Sequence, residues 1–462
     1  MILCQLFKRI FNTFEFYKKM KILKNSRSVL IFLIIIHVGF FVSKIFIGNY
    51  FLQDSYDYCY LAENIKNHFA FYCANLNEPI VFENFTKRPP VYGLFVLVFS
   101  FFTQSKVLVL LAQNILSIIS ILLTIRIFNK HFNNTTKNKI FLILIAVSIS
   151  QFIYANYLMS EILLQFLVIV LCYSFQNTLA KKSLWWLFGF QLIIILLFLT
   201  KPVFYLFVIP NVFICLWLSK HISKASFFSL VPIIALVMYM SWNKERTGHF
   251  EFSSIQNLAL KNYNLLYFQT NKYNEDYALK INEKINKEIA QLDSYKEKQQ
   301  AIKLLSTQYI KKDLFSYAWF HLKGSLRMFI DPGRFDLYNF FNFSNKNEVG
   351  FLAHINSNGV TGAFNYFKKQ PFIIILLLPI ILIFNLLKLY GFCRFWITNY
   401  KIAPPVLWFA FFIIIYITFL TGPLAASRFL VPLLPLYCMF ASLGLLIHFK
   451  SFKNHNKSNL TI

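Results

Sequence analysis

Charge is scarce in this chain, and negative charge is scarcer still. Only 14% of the 462 residues are charged, and 19 Asp and Glu stand against 46 Lys and Arg. A soluble domain carries roughly a quarter charged residues, so an ordinary globular fold is excluded. The seven cysteines are scattered without metal-ligand spacing, which removes a Cys/His metal cluster. Neither a Walker loop nor a dinucleotide fingerprint occurs, and no internal repeat is visible; the glycine-rich phosphate cradles of soluble nucleotide enzymes are therefore missing. The N-terminus has no small-residue cleavage site after a short apolar core, so its first apolar run reads as an uncleaved anchor.

Apolar and aromatic residues fill the space: 57% hydrophobic, 19% Phe, Trp and Tyr. Runs long enough to cross a bilayer recur along the chain. The sequence predicts an all-α polytopic membrane protein with about ten transmembrane helices, near 28–48, 107–125, 140–157, 162–178, 184–200, 203–219, 227–242, 371–388, 404–421 and 429–448. Leu94–Phe102 is too short to span and follows Pro89-Pro90, so it reads as a juxtamembrane or re-entrant helix on the outer side. With this choice the inner segments collect the Lys and Arg, including Arg126, Lys130, Lys181, Lys182, Lys220, Lys388, Arg394 and Lys401. All acidic residues but Glu15 fall outside. The net charge of +27 is thus topogenic, and no nucleic-acid partner is implied.

The chain divides into a basic cytoplasmic tail (1–27), the first span (28–48), a first outer loop with juxtamembrane helices (49–106) and a six-helix block (107–242). An outer segment (243–370), three closing spans (371–448) and a cytoplasmic tail (449–462) follow. In the outer segment Ile281, Ile285, Ile289 and Leu292 recur at helical spacing. Phe315–Ile330 forms a second apolar stretch that ends at the turn signal Asp331-Pro332-Gly333. Both helices are expected to lie on the membrane surface. Cys59 and Cys73 share the first outer loop, either as a disulfide or as two free thiols.

Ionisable residues at span ends are functional candidates, because charge at a membrane boundary costs free energy unless it is used. Asp54 and Asp57 follow the first span three residues apart, on one face if the segment is helical. Arg88 precedes Pro89-Pro90, whose restricted backbone fixes where the guanidinium points, and such a fork suits a phosphate. Glu161 sits in a tight outer turn, Lys201-Pro202 at an outer span end, and Arg428 at the start of the last span. Each has a plainer reading: a helix-terminal acid for Glu161, a snorkelling lysine for Lys201, an interfacial anchor for Arg88. Tyr92 is either a sugar platform or part of the aromatic belt.

Taken in order, the Asp54 loop, Arg88-Pro89-Pro90-Val91-Tyr92, Ser160-Glu161, Lys201-Pro202 and Arg428-Phe429-Leu430-Val431-Pro432 resemble the outer-side elements of the polytopic GT-C glycosyltransferases. That group includes the aminoarabinose transferases of lipid A, the protein O-mannosyltransferases and bacterial relatives. Phe429 stands where those proteins usually have Tyr. The resemblance implies a polyprenyl-phosphate sugar donor, a lipid, polysaccharide or protein acceptor, inversion at the anomeric carbon, and an outward-facing site in the cell membrane. It also implies roles: Asp54 as base, with Asp57 beside it; Arg88, Lys201 and Arg428 on the leaving phosphate; Glu161 positioning the acceptor or a divalent metal ion. Two other classes stay open: a lipid-linked glycan polymerase or ligase, and a transporter or flippase. The missing repeat and the placement of charge at span ends count against a transporter.

Overall fold

The computed structural model describes residues 27–343 and 370–458, together with residues 361 and 368. The N-terminal tail before residue 27, most of 344–369 and residues 459–462 lie outside the described residues, and so do the expectations placed on them. The described chain is all-helical, with no strand. Among the described residues, eight helices are long and apolar enough to cross a membrane: Ser28–Ile47, Val107–Asn129, Glu161–Lys181, Pro202–Ser219, Ala225–Thr247, Phe372–Asn399, Pro405–Leu424 and Ser427–Ile447.

Two of the ten expected spans take a different form. The 140–157 run is a pair of helices, Thr135–Ala146 and Ile149–Ala155, bent by 63°, and it makes a ninth span only if the pair is counted as one. The 184–200 run forms a helix of 15 residues, Leu184–Phe198, which ends before the Lys201-Pro202 break. The residue before a proline is pushed out of the helical region, and Lys201 has extended dihedrals. Lys388, expected at an inner span end, instead lies within the Phe372–Asn399 helix, buried, with its ammonium on Ser148 Oγ at 2.9 Å.

Two helices, Glu161–Lys181 and the last span, form the centre; nine-tenths of the former's most apolar stretch is enclosed by protein. The last span meets Phe372–Asn399 through glycine. A Cβ on Gly391 would strike the Ala441 carbonyl, and one on Gly444 would strike the Gly391 carbonyl, so the backbones approach as closely as small residues allow.

Polar side chains support irregular backbone where the chain turns back towards Glu161. Gln113 Nε2 donates to the carbonyls of Ala155 and Tyr157, at 3.2 and 2.7 Å, and Asn114 Nδ2 donates to Asn156. Gln151 and Gln165 exchange amide bonds at 2.8 Å. An unsatisfied peptide group is costly in an apolar interior, so these amides are what allows residues 156–160 to leave the helix.

The outer-segment helices differ from each other. Glu275–Ala290 buries Ile281 and Ile285 against Leu265 and Ile310, so its apolar stripe is spent on protein and not, as expected, on a membrane surface. The Leu314–Arg327 helix keeps Phe315, Trp319, Leu322 and Leu326 exposed along one side. Its other side packs on Gly422 and Pro423, where His321 Nε2 meets the Phe419 carbonyl.

Candidate active site

The sixteen-residue helix Gln53–His68 begins directly after the first span, and Asp54 occupies its first turn. Ser55 Oγ accepts from the Leu52 N–H at 2.9 Å, which sets the helix start. Three residues apart on this helix, Asp54 and Asp57 face the same guanidinium, as their spacing predicts. Arg88 Nη2 donates to Asp54 Oδ1 at 2.7 Å and its Nε to Asp57 Oδ2 at 2.9 Å. Lys87, which the sequence reading passed over, holds the other Asp57 oxygen at 2.9 Å.

Arg88 is aimed by its neighbours. Pro89 is extended and Pro90 opens the Pro90–Ser100 helix, a position where the missing proline N–H costs nothing. The Val91 N–H donates to the Leu199 carbonyl at 2.9 Å, so the Arg88 turn is bolted to the break that carries Lys201. The ring of Tyr58 lies 5.5 Å below the guanidinium.

Glu161 opens its helix and is completely buried. Its Oε1 receives both Lys201 Nζ at 2.7 Å and Arg428 Nε at 2.6 Å. Its Oε2 is buried and makes no hydrogen bond. Arg428 closes the circle, because its Nη2 donates to Asp54 Oδ2 at 2.5 Å. Phe429 presents its ring to the cations of Lys201 and Arg428 at 5.5 and 5.7 Å, a contact in which a phenolic hydroxyl plays no part.

The six residues Asp54, Asp57, Arg88, Glu161, Lys201 and Arg428 thus form one continuous ion-paired cluster at one end of the bundle. The side chains of Arg88, Lys201 and Arg428 remain 11%, 15% and 24% exposed, so the cluster is not fully enclosed. Burial alone would push the Asp54 carboxyl up, but the charges of Arg428 and Arg88 outweigh it and hold the group well below the usual carboxylate range. Burial presses the Lys201 ammonium down, against the pull of Glu161.

Tyr92 is not part of this cluster. Its ring is fully buried behind Tyr58, 4.6 Å between centroids, and its hydroxyl donates to Gln113 Oε1. It has no face open to a sugar or to an interface; the helix start at Pro90 turns it into the core. His249 makes none of the cluster's bonds and stands edge-on to Tyr295. Cys59 and Cys73 are both free and buried, which decides between the two readings in favour of thiols.

The donor set does not suit a divalent ion. No group of three His, Cys, Asp or Glu capable of holding one occurs among the described residues. Both Asp54 oxygens and one Glu161 oxygen are taken by cationic side chains, which compete with a metal for the same lone pairs. The cluster matches an anion that carries several oxygens: a phosphate could take over the donors now satisfied by carboxylates.

Sequence reasoning also missed Tyr154, Asp331 and Asp336, which lie one layer behind Arg428. Tyr154 donates to Asp336 Oδ1 at 2.6 Å, and Ser427 donates to both acids. Asp331 read only as part of a turn signal, and Asp336, two residues past Arg334, had no local pattern to mark it.

Fold and site together define a multi-pass, all-helical membrane protein with a cluster of paired cations and carboxylates at one end of its bundle. No protein-family model matches the chain, and no curated protein matches it.

Proposed function

We propose that the protein is a membrane glycosyltransferase that moves a sugar from a polyprenyl-phosphate carrier to a hydroxyl of a lipid, polysaccharide or protein acceptor. One observation carries the reading: four cations and three acids from five chain segments converge on a single cluster. A leaving phosphate needs fixed cations, and an attacking hydroxyl needs a carboxylate beside them.

In the free protein the carboxylates occupy the donors that a phosphodiester would use. Donor binding is therefore an exchange. The phosphate takes Arg88 and Arg428, with Lys201 alongside, and Asp54 is released from both guanidinium groups. A carboxylate held far below its usual range is a poor proton acceptor, so Asp54 becomes a competent base only once the phosphate has replaced it. The acceptor oxygen then bonds to the anomeric carbon as the bond from that carbon to the phosphate oxygen breaks. The electron pair leaves with the polyprenyl phosphate, the acceptor proton passes to Asp54, and the anomeric centre inverts. Glu161 keeps Lys201 and Arg428 in place during the exchange. No step requires a metal ion. The distribution of Lys and Arg supports a site facing the outer or periplasmic side of the cell membrane.

The test uses membranes containing wild-type protein or Asp54→Asn, a panel of polyprenyl-phosphate sugars and an envelope extract. Donor loss and free polyprenyl phosphate are followed by mass spectrometry. Consumption of one donor, slowed by about 10²–10⁴-fold in the variant, supports the reading. Equal turnover by both proteins removes Asp54 as the base. Failure of wild type on every donor moves the assignment to a glycan polymerase or ligase, or to a transporter.

A further inference from the structure

Behind Arg428 lies a pair of acids that touches none of the six cluster residues directly. Asp331 Oδ2 accepts the Ser427 backbone N–H at 2.9 Å, and its Oδ1 accepts the Gly333 N–H at 3.0 Å. Asp336, on the Arg334–Phe340 helix, takes the Ser427 hydroxyl on one oxygen and the Tyr154 hydroxyl on the other. Gly333 makes the turn between the acids possible. Its φ is +72°, and a Cβ there would come within 3.2 Å of both Asp336 Oδ2 and Ser427 Oγ. Ser427 is thus gripped through backbone and side chain, and the next residue is Arg428.

Tyr154 belongs to the segment that leads into Ser160-Glu161. Asp336 therefore ties together the two stretches that deliver Arg428 and Glu161 to each other. We propose that Asp336 is the positioning residue of Arg428, and that loss of its charge loosens the hold on a phosphodiester. The inference rests on the phosphate-binding reading of the cluster.

An ionised carboxylate accepts from both hydroxyls at once. A protonated one donates to one of the two hydroxyls instead of accepting from it, so that bond reverses and both bonds lose the strength that the carboxylate charge gave them. Burial pushes the Asp336 carboxyl up to about 6, against the Ser427 and Tyr154 bonds that favour its charge. The other groups that bear on it are Asp331, Arg428 and the phenol of Tyr157, with Arg334 on its own helix. Two hydroxyls hold the Asp336 carboxylate and the Arg428 charge also favours its ionised form, and loss of its charge removes grip more than it removes repulsion of an incoming anion.

The experiment measures binding of farnesyl methyl phosphodiester to the full-length protein in nanodiscs between about pH 5 and 8, a range in which the single charge of a diester does not titrate. Wild type is expected to lose about ten-fold in affinity on acidification, with its inflection near 6. Asp336→Asn should hold the weak, low-pH affinity throughout, and Asp336→Glu should restore a titration. A wild-type profile in Asp336→Asn overturns the inference and leaves the phosphate site standing. If that variant does not fold, Ser427→Ala and Tyr154→Phe each remove one bond that favours the charged form. Either should move the wild-type inflection to higher pH, and an inflection unmoved in both also overturns the inference. No binding by wild type at any pH removes the phosphate-site reading and this inference with it.

Discussion

Replacing Arg428 by Ala strikes the one cation that bridges Asp54 and Glu161. The change deletes two charge-assisted bonds, at 2.5 and 2.6 Å, each contributing about 1.5–3 kcal/mol where solvent is excluded. Solvent takes part of this, because the Arg428 side chain is 24% exposed and Asp54 20%. Glu161 is not relieved in that way, since it is wholly buried and keeps only Lys201. A net loss of about 3 kcal/mol follows, at the low end for breaking a buried pair. For a chain of this size that is a fall in Tm on the order of 5 °C, read by thermal unfolding in detergent. Arg428→Lys should fall between, because one ammonium cannot reproduce the guanidinium fork. Acid sensitivity supplies a second reading. The folded-state Asp54 carboxyl is held below its unfolded value, so its stabilisation is present above about pH 4 and is lost as pH falls towards the folded value. Arg428→Ala releases much of that depression and should lose less stability on acidification than wild type. An Arg428→Ala protein with wild-type Tm and wild-type acid sensitivity would falsify the ion-paired cluster.

Three further outcomes follow from the packing. Tyr92→Phe leaves Gln113 Oε1 without its donor and should cost about 1 kcal/mol in thermal unfolding with no change in phosphodiester affinity; a large loss of affinity would restore Tyr92 to the site. Gly391→Leu forces the Phe372–Asn399 helix away from the last span and should cost about 1–3 kcal/mol or more, seen as loss of monodisperse protein on size exclusion, whereas normal folding would show that the helices do not touch there. Cys73 is buried and its thiol is pushed up to about 12, mainly by burial, so a maleimide should label it only after unfolding; rapid labelling of native protein contradicts the placement.

Much of the site was legible in the sequence, for a simple reason. Acids and cations are rare in this chain, and each one at a span end stood out against an apolar background. The Asp54–Asp57 spacing, the Arg88-Pro89-Pro90 element and the Lys201-Pro202 break appear in the structure as local geometry, because helix periodicity and proline dihedrals are local properties. Tyr92 was misread because its surroundings depend on which way the Pro90–Ser100 helix rolls, and that is set by Tyr58 and Gln113. Lys87 and Asp336 carried no local pattern that separates a working charge from a solvated one.

Composition alone determined that the chain is helical and polytopic, since only a helix satisfies its own backbone along an apolar run. The order of residues set where most runs lie and which charges border most of them. Only the tertiary structure decided that one run is a pair bent by 63°, that Lys388 is interior, and which acid meets which cation. Those outcomes depend on the packing of segments up to 374 residues apart, the separation of Asp54 and Arg428. Local sequence carries no record of such pairings, because they are settled by the free energy of the whole packed bundle.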